Sequence, residues 1–503
     1  MIQFDETLPT RDRWKVSERL NELLPPSWGS VRLGDIARVQ NGAPFKSKLF
    51  NRTGEGMPLI RIRDVGADGT STFYSGDYDD AYVVRAGDIL IGMDGEFRCR
   101  RWRGRAALLN QRVCRLLVDA TQYEPSFLLA FIQPYLDAVE QVTSSITVKH
   151  LSSKTVADLR LPAPPLPEQR RIVTRIESLQ ARSRRAREAV DAIPPLLERF
   201  RQSVLAAAFR GDLTADWRRE NPDVEPASVL LERIRAERKR RWLDAEAEKA
   251  RSKAEAKAQK AGKPWTETDD RKALEAGRKR VEKRYKEPEP VDPQGLPKLP
   301  EGWCWAALGE VGIWSSGGTP SRRNPDYYGG EIPWAKTGEL RDGPITEVGE
   351  RITEAGLANS AAKLFPAGTI LVAMYGATIG RIGVLTFAAA TNQACAALLP
   401  DRASSTSRDY LFWFLRGCQE AFRALGQGGA QPNISQTVLK AFPIPIPPPP
   451  EQAAVANRCA EQFQAIDAAE MGRAAAVEQL DRLGQSVLAK AFRGELLLPS
   501  EGT

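Results

Sequence analysis

EQRRIVTRIESLQARSRRAREAVDAIPPLLERFRQSVLAAAFRGDL at residues 168–213 and EQAAVANRCAEQFQAIDAAEMGRAAAVEQLDRLGQSVLAKAFRGEL at residues 451–496 are two copies of one element. Their shared landmarks differ by a constant 283 positions, as for Phe209-Arg210-Gly211 and Phe492-Arg493-Gly494. A constant offset over this length indicates an internal repeat without insertions. Each copy follows a proline run and ends at a glycine, as helix boundaries do. The sequence therefore predicts two long helices.

Apolar residues in both copies recur at the three- and four-residue steps of a narrow helical stripe. The predicted seam comprises Ile172, Ile176, Leu179, Val190, Ile193, Leu197, Phe200 and Val204 in the first copy and Val455, Ile466, Leu480, Leu483 and Val487 in the second. We predict that the two stripes pack on each other; the alternative is that each helix packs on its neighbouring domain. Pro194-Pro195 is expected to kink or break the first helix.

The segment that precedes each helix is also duplicated. LPPSWGSVRLGDI from Leu24 recurs as LPEGWCWAALGEV from Leu299, and GDILIGMDG from Gly87 recurs as GTILVAMYG from Gly368. Short apolar runs alternate here with Gly, Asp and Asn turns, and helical patterns occur near residues 123–142 and 407–425, so each segment is predicted to be a mixed α/β domain. The predicted fold class is α+β, with two duplicated globular α/β domains joined by two long helices.

The predicted segments follow from these landmarks. They are an N-terminal helical segment (1–23), a first globular domain (24–165), a first spacer helix (166–213), a basic helical linker (214–298), a second globular domain (299–448), a second spacer helix (449–496) and a tail (497–503). Within the linker, residues 233–263 hold twelve Lys or Arg against five Asp or Glu, a net +7 out of the chain's +8. This stretch is either a solvated helical linker or a basic arm along DNA phosphates or a partner.

Composition limits the other possibilities. No run of about 18 apolar residues occurs and the N-terminus lacks a signal-peptide core, so no membrane segment is expected. The six cysteines are scattered without a CxxC pair and the one histidine is His150, which argues against a zinc site and favours a reduced, cytoplasmic setting. A pI near 9.1 permits a polyanionic partner without proving one.

Polar and basic residues cluster in turn-like segments of both domains. The candidates for DNA contact are Lys46, Lys48, Arg61, Arg63, Arg98, Arg100, Arg101 and Arg103 in the first domain, and Thr319, Ser321, Arg322, Arg323, Lys336, Thr337, Arg381, Gln431 and Asn433 in the second. Arginine can pair with guanine edges and Asn or Gln with adenine, whereas Ser, Thr and Lys commonly hold phosphates. Any one of these residues alone is more simply an exposed turn residue. As clusters on two similar scaffolds, they predict readers of two different sequences.

The motifs of common catalytic sites are missing. The sequence has no GxxxxGK[ST], no GxGxxG that opens a helix after a strand and no GxSxG. Asn324-Pro325-Asp326-Tyr327 is similar to the Asn-Pro-Pro-Tyr of amino-methyltransferases, but Asp replaces the second proline and no methyl-donor glycine motif precedes it, so we interpret it as a turn. We expect no catalytic residue, cofactor or metal in this chain.

The ordered set of motifs resembles the specificity subunit of a Type I restriction–modification system, over nearly all of residues 24–496. It is carried by the paired openings above, by GDILIGMDG with LLNQRV and GTILVAMYGATIGRIG with TNQA, by LPAPPLPEQRRIV and IPIPPPPEQAAV, and by QSVLAAAFRGDL and QSVLAKAFRGEL. The resemblance implies two target-recognition domains that each read one half of a split, asymmetric DNA site. It also implies that the central (166–213) and distal (449–496) conserved helices form an antiparallel coiled coil that sets the gap.

The same resemblance implies the partners. They would be double-stranded DNA, two modification subunits that use S-adenosylmethionine to methylate adenine, and restriction subunits with an ATP-driven translocase and nuclease, so ATP and Mg²⁺ also belong to the partners. The long basic insert and Pro194-Pro195 depart from the family pattern. Two alternatives stay open: the recognition region of a fused or stand-alone DNA adenine methyltransferase or restriction enzyme, and a coiled-coil structural protein that does not touch DNA.

Overall fold

The computed structural model of the chain describes residues 8–9, 11–143, 149–282, 284–285, 287, 289–400, 406–426 and 433–497. The chain divides into two compact units, a first unit of residues 1–192 with 472–503 and a second unit of residues 193–471. Each unit therefore combines the globular part of one repeat with the C-terminal part of the other repeat's long helix. The unit boundaries fall inside the predicted segments 166–213 and 449–496.

The first unit contains short strands and one long helix at its end. Its strands are β1 (Gly29–Arg32), β2 (Ala37–Asn41), β3 (Phe50–Asn51), β4 (Met57–Ile60), β5 (Phe73–Tyr74), β6 (Val83–Val84), β7 (Ile89–Gly92), β8 (Cys99–Arg101), β9 (Ala107–Leu109), β10 (Val113–Val118) and β11 (Arg160–Ala163). Its helices are α1 (Val16–Asn21), α2 (Leu33–Ile36), α3 (Pro125–Gln141), α4 (Ser153–Asp158) and α5 (Leu166–Asp191). The sheets have the orders β2-β10-β7-β8 and β3-β5-β4-β9-β6, and β1 pairs with β11.

Helix α3 covers the four-stranded sheet of the first unit because its aromatic residues recur every four positions and so share one face. Phe127 and Phe131 stack with ring centroids 4.1 Å apart, and both belong to the main core. Glu124 caps the N-terminus of the helix and Pro125 occupies its first turn, where the missing N–H costs no helical hydrogen bond. Phe492, from the end of the other repeat's helix, stacks on Phe131 at 5.8 Å.

The second unit repeats this architecture. Its strands are β12 (Cys304–Ala307), β13 (Gly312–Ser316), β14 (Tyr328–Ala335), β15 (Gly343–Ile345), β16 (Arg351–Ile352), β17 (Leu364–Phe365), β18 (Ile370–Ala373), β19 (Ile382–Leu385), β20 (Ala389–Thr391), β21 (Cys395–Pro400) and β22 (Pro443–Ile446). Its helices are α6 (Ile193–Arg210), α7 (Ala215–Glu220), α8 (Ala227–Lys260), α9 (Glu267–Glu282), α10 (Glu354–Ala358), α11 (Arg408–Gly417), α12 (Gln419–Leu425), α13 (Gln436–Ala441) and α14 (Pro449–Phe492), of which residues 472–492 belong to the first unit. The sheets are β13-β21-β18-β19-β15, β16-β14-β20-β17 and the pair β12-β22.

Strand register confirms the duplication. Leu116 of β10 pairs with Ile89 of β7, and the repeat-equivalent Leu398 of β21 pairs with Ile370 of β18. The β1–β11 and β12–β22 pairs show the same correspondence in their antiparallel registers. A one-residue slip would move every buried side chain to the other face, so this agreement means that both domains bury the same pattern. The mixed α/β domains predicted from the sequence are confirmed.

The break predicted at Pro194-Pro195 is confirmed, although it lies just before the two prolines. Helix α5 ends at Asp191 and α6 begins at Ile193, which places both prolines in the first turn of α6. Proline is tolerated there because the first-turn N–H groups have no partner within the helix. The second copy has no proline at the equivalent position, and α14 runs for 44 residues without interruption.

The long helices pair antiparallel within each unit. In the first unit Arg187 of α5 forms an ion pair of 2.5 Å with Asp481 of α14, whereas Ile172, near the start of α5, shares a core with Ala491. In the second unit Arg201 of α6 lies 3.1 Å from Glu470. The antiparallel pairing expected of the two long helices is therefore observed in both units.

Burial of the predicted seam varies along the helices. Its buried members are Ile172, Ile176, Val204, Val455, Ile466 and Val487, and its half-buried members are Leu179, Val190, Ile193, Leu197 and Leu480. The core of the first unit includes Ile172, Ile176 and Val487, and the core of the second includes Val204 and Val455. At the helix ends, therefore, the stripe packs on a globular domain, which was the alternative considered. Phe200 and Leu483 are 46% and 47% exposed, so the seam is open at these two positions, which belong to neither core.

The basic linker is a helical hairpin attached to the second unit. Leu230, Leu231 and Ile234 of α8 lie in the core of that unit. Helix α9 returns along α8, and Arg251 pairs with Asp270 at 2.8 Å across the hairpin. None of the helices that the structure describes has an apolar stretch long enough to span a bilayer.

Candidate DNA interface

Loops from separate parts of the first domain meet at one end of its sheets, a region that we call the first tip (residues 42–48, 60–63, 93–98, 110–112 and 149–151). Four main-chain hydrogen bonds join these loops. The N–H of Ala43 donates to the carbonyl oxygen of Leu109 (2.9 Å), and that of Asn110 donates to the carbonyl oxygen of Ile60 (3.3 Å). The N–H of Met93 donates to the carbonyl oxygen of Arg112 (3.0 Å), and that of Leu151 donates to the carbonyl oxygen of Met93 (2.8 Å). The tip is thus held by backbone groups, which leaves its side chains free to vary.

The second domain has the same four bonds at repeat-equivalent positions, and we call this region the second tip (residues 317–323, 335–337, 374–381, 391–394 and 433–434). The N–H of Gly318 donates to the carbonyl oxygen of Thr391 (2.9 Å), and that of Asn392 donates to the carbonyl oxygen of Ala335 (3.1 Å). The N–H of Met374 donates to the carbonyl oxygen of Ala394 (2.9 Å), and that of Ile434 donates to the carbonyl oxygen of Met374 (2.9 Å). Two loop frames with one hydrogen-bond pattern therefore carry different side chains.

A glycine permits the closest approach in each tip. A Cβ atom on Gly42 would lie 2.1 Å from the carbonyl oxygen of Asn110, and one on Gly317 would lie 1.9 Å from that of Thr391. Both distances are well inside van der Waals contact, so any side chain here would push the loops apart. Because the two glycines are repeat-equivalent, this close approach is part of the shared frame.

Most of the predicted DNA contacts of the first domain lie on or beside the first tip. Lys46, Lys48 and Arg61 are exposed, and no ion pair of their side chains occurs among the described residues. Arg63 and Arg98 line one cleft of about 230 Å³, together with Asp94 and Glu96. Positive side chains on three separate loops thus face solvent at one end of the domain.

Arg100 and Arg101 use guanidinium donors inside the domain, as Arg63 does toward Thr72 Oγ1 (3.1 Å). Arg101 donates to the carbonyl of Gly87 (3.2 Å) and to Ser126 Oγ (2.9 Å), at the start of α3. Arg100 donates to the carbonyl of its neighbour Cys99 (2.7 Å) and to Gln133 of α3 (3.3 Å). These bonds join β8 to α3, so both guanidinium groups have partners within the domain. Arg103 follows Trp102 and is exposed.

In the second domain Arg322 and Lys336 share one carboxylate and one aromatic wall. Arg322 lies 4.3 Å from the ring centroid of Tyr328 and 5.3 Å from that of Trp334. Glu350 accepts hydrogen bonds from Lys336 (2.5 Å) and from Arg322 (2.7 Å). These two cations, Lys336 first, lower the pKa of the Glu350 carboxyl below its ordinary value. The Arg322 guanidinium is therefore held in one orientation while its side chain stays 56% exposed.

The other predicted contacts of the second domain have varied surroundings. Thr319 donates to Gln393 across the tip, and Thr337 begins a 3₁₀ turn. Ser321 and Arg323 are exposed. The carbonyl oxygen of Arg381 accepts a hydrogen bond from the N–H of Ala373 (2.8 Å). The carbonyl oxygen of Arg98 accepts one from the N–H of Gly92 (3.0 Å), so the two arginines occupy equivalent positions in the two domains. Asn433 forms a β-bridge with Tyr375, and Gln431 lies outside the described residues.

Comparison of the two tips identifies polar residues that the sequence analysis did not select. They are Asp94, Gln111, Arg112 and His150 in the first tip and Tyr375 and Gln393 in the second. The constant offset between the repeats could have identified these residues from the sequence. Asn433 had been selected, for example, and the residue at the equivalent position of the first repeat is His150. The isolated histidine was considered only in relation to a zinc site.

Four of the six cysteines are buried, and Cys304 and Cys418 are half-buried. Burial raises the pKa of Cys114 to about 12, that of Cys395 to about 12 and that of Cys304 to about 11. A raised thiol pKa reduces the thiolate that a nucleophile or metal ligand needs. Among the described residues, no group of three or more His, Cys, Asp or Glu side chains could hold a metal ion.

Known proteins are similar to this chain in sequence. The family model of the Type I restriction modification DNA specificity domain matches residues 25–189 and 300–479. The EcoBI specificity subunit of Escherichia coli is 30% identical over 497 residues, which cover 96% of this chain and 89% of that protein. The EcoDI specificity subunit, also of Escherichia coli, is 23% identical, with 94% and 89% covered.

Solved structures agree with the fold. The HsdS subunit of Thermoanaerobacter tengcongensis superposes with a TM-score of 0.54 at 20% identity, covering 94% of this chain and 98% of that one. A chain from a study of complex assembly and conformational transition of the type I R-M system gives a TM-score of 0.54 at 21% identity, covering 94% and 99%. The two matched segments of the family model coincide with the two globular domains and the first part of the long helix that follows each.

Proposed function

Because this chain belongs to the family of Type I restriction–modification DNA specificity subunits, we propose that each of its two domains reads one half of a bipartite DNA site through its tip. The family assignment makes the chain the non-catalytic, sequence-recognising subunit of its complex. What we add is the place of recognition. The first tip would contact one half-site and the second tip the other.

The observation that carries the proposal is the loop frame that the two tips share. The same four main-chain hydrogen bonds hold both tips, yet the side chains they present differ, such as Lys46 against Ser321 and His150 against Asn433. A frame built from backbone bonds keeps its shape when side chains change, and base edges are read by side chains. Two such frames with different side chains suit two half-sites of different sequence.

The side chains also divide into two physical classes. Arg322 is oriented by Tyr328, Trp334 and Glu350, which favours the two-pronged contact that a fixed guanidinium makes with guanine O6 and N7. Lys46 and Lys48 are exposed on a loop and lack such support, which suits phosphate contacts that tolerate any sequence. We therefore assign Arg322 to base recognition and the two lysines to phosphate binding.

The long helices carry exposed apolar side chains in each unit, and these suit contacts with partner subunits. Leu196 and Phe200 of α6 are 55% and 46% exposed, and Leu483 and Leu488 of α14 are 47% and 43% exposed. Large apolar side chains at the surface are typical of sites that another protein covers. We propose that two modification subunits dock on the helices, bring the S-adenosylmethionine site that methylates adenine, and recruit restriction subunits that use ATP and Mg²⁺. The complex would act on chromosomal DNA in the cytoplasm.

A map of methylated adenines in the host genome tests the proposal. We expect a split motif, with two fixed half-sites and a gap of constant length, that disappears when the gene is deleted and returns with a plasmid copy. A variant in which the sequence of residues 42–48 replaces residues 317–323 should recognise a motif that is changed in one half and unchanged in the other. A continuous motif, or a motif that persists after deletion, would contradict it. Methyl transfer by the purified chain alone would instead support the fused or stand-alone methyltransferase.

A further inference from the structure

We propose that Asp94, Arg112 and His150 form a base-reading cluster at the first tip, in which His150 Nε2 accepts a hydrogen bond from the exocyclic amino group of a base. This inference deepens the proposed function and rests on it. It assigns a specificity role to the chain's single histidine.

Main-chain bonds place the three residues beside one another although they come from three separate loops. Asp94 and His150 form an antiparallel β-bridge, which is flanked by the bonds from Gly95 N–H to Lys149 (2.9 Å) and from Leu151 N–H to Met93 (2.8 Å). Met93 also donates to the carbonyl of Arg112 (3.0 Å). The backbone positions of the cluster are therefore fixed on all three loops.

The side chains of the cluster form a short chain of polar contacts. His150 Nδ1 lies 2.7 Å from Asp94 Oδ1, and Arg112 lies 3.0 Å from Asp94 Oδ2. The Asp94 side chain is 19% exposed, whereas those of His150 and Arg112 are 55% and 54% exposed. The carboxylate is thus enclosed between a cation and a ring, and both of its partners extend into solvent.

The chemistry of the imidazole follows from this contact. An ionised carboxylate can only accept, so Nδ1 must carry the hydrogen that joins it to Asp94. In the neutral ring the other nitrogen, Nε2, then has a lone pair and no hydrogen, and it can only accept. In the major groove the groups that donate are the amino groups at adenine N6 and cytosine N4. A histidine oriented in this way can read one of these bases and leaves guanine and thymine without a donor for Nε2.

Basic side chains lie near His150 together with acidic ones, since Arg98 is paired with Glu96. Arg13 donates to the main-chain carbonyl of His150 (3.1 Å), and the neighbouring Lys149 is paired with Glu140 (3.1 Å). Asp94 also lines the cleft that holds Arg63 and Arg98. A duplex that places a base edge at His150 would therefore bring its phosphates close to several arginines.

The second tip shows that this place is used differently in each domain. The equivalents of Asp94, Arg112 and His150 are Tyr375, Ala394 and Asn433, and Tyr375 and Asn433 form the same β-bridge. The bridge is common to both domains, whereas the side chains at these three positions differ. A contact needed only for folding would not have to differ in this way, but a contact that reads a half-site would.

The test uses the full chain with its own modification subunits, at pH 8. Binding is measured on duplexes that carry all four bases at each position of both half-sites, for His150→Ala, for His150→Gln, which retains an acceptor near the same place, and for Asp94→Asn. Arg85→Ala, at an exposed residue just after strand β6, is the control for a change on the surface of the same domain.

We expect His150→Ala to lose discrimination at one base pair of one half-site, by about 5- to 150-fold, with the other half-site unchanged. Asp94→Asn should weaken discrimination at that same base pair, and His150→Gln should retain part of it. Unchanged discrimination in His150→Ala, or equal weakening on every duplex with a shallower salt dependence, would overturn the inference. In either case a split motif read by the wild-type complex would leave the proposed function intact.

Discussion

The indole nitrogen of Trp303 donates a hydrogen bond of 2.8 Å to the Glu451 carboxylate, which is fully buried in the second unit. Thr214 and Arg218, which follow helix α6, donate to the other oxygen of Glu451 at 2.7 and 2.5 Å. The first unit has the equivalent bond from Trp28 to Glu168, at 3.1 Å. There Leu497 stands in the place of Thr214, and Glu168 is only half-buried.

This difference predicts unequal costs for the same substitution. Glu451→Ala removes the acceptor of three donors and leaves the Arg218 cation without its partner, so we expect a loss of about 3–5 kcal/mol in the free energy of unfolding. Glu168→Ala, the matched control, removes one hydrogen bond from a half-buried site and should cost about 1 kcal/mol. Urea denaturation of the two variants measures the difference. Equal losses would mean that Thr214 and Arg218 contribute little.

Acid should weaken one ion pair of the second unit in a defined pH range. Arg458 forms two hydrogen bonds with Asp216, of 2.5 and 2.9 Å, and thereby lowers the pKa of Asp216 to about 2, from an ordinary value of 3.8. Because the folded-state pKa is the lower one, the stabilisation is complete above the ordinary value and is lost as the pH falls toward about 2. The Asp216→Asn variant should therefore unfold at a lower urea concentration than the wild type at pH 7. The difference between their urea midpoints should narrow between pH 4 and pH 3. A difference in urea midpoint that does not change with pH would show that ionisation of Asp216 is not its origin.

Arg322 and Arg101 should respond differently to truncation. Arg322→Ala should cost about 1–3 kcal/mol in discrimination at one position of the second half-site, with little change in stability. Arg101→Ala should instead lower the free energy of unfolding by about 1–3 kcal/mol, because its guanidinium bonds are internal, and should leave base preference unchanged. Duplex binding and urea denaturation of both variants separate the two roles. Arg323→Ala, an exposed neighbour, controls for the loss of a charge beside Arg322.

Lengthening both long helices should widen the recognised gap. Seven residues add two helical turns, about 10 Å, which corresponds to about three base pairs of B-DNA. We expect a heptad inserted in α5 beside Arg187, with another in α14 beside Asp481, to lengthen the gap in the methylation map by about that amount. The same insertion in α5 alone should abolish methylation, because the pairing of the two helices is then out of register. An unchanged gap in the double insertion would show that the helices do not set the spacing.

The sequence predicted the architecture well because repetition is visible without knowledge of contacts. The offset of 283 positions located both long helices, and Pro194-Pro195 predicted their one break. Helical periodicity could not tell which stripe residues face a partner helix and which face a globular core. Ile172 and Phe200 fit the stripe equally well, yet one is buried and the other is half exposed.

Individual site residues were harder to predict because burial and hydrogen bonding decide their roles. Arg100 and Arg101 were selected for their charge, but Gln133, Gly87 and Ser126 lie close enough to accept their donors. His150 was passed over as a solitary residue, since only the fold brings Asp94 beside it. The charge of a loop can be read from the sequence, whereas the partner of each charge depends on strands distant in the chain.

The four recurring main-chain bonds have a consequence for how these proteins change over time. Amide and carbonyl groups hold each tip. Under the proposed function, mutations among its exposed side chains would alter the target with little effect on folding. Gly42 and Gly317 are the exceptions, since the close approach there admits no side chain. Under that proposal, the DNA target of either domain could change independently, while the backbone contacts common to both tips preserve the fold.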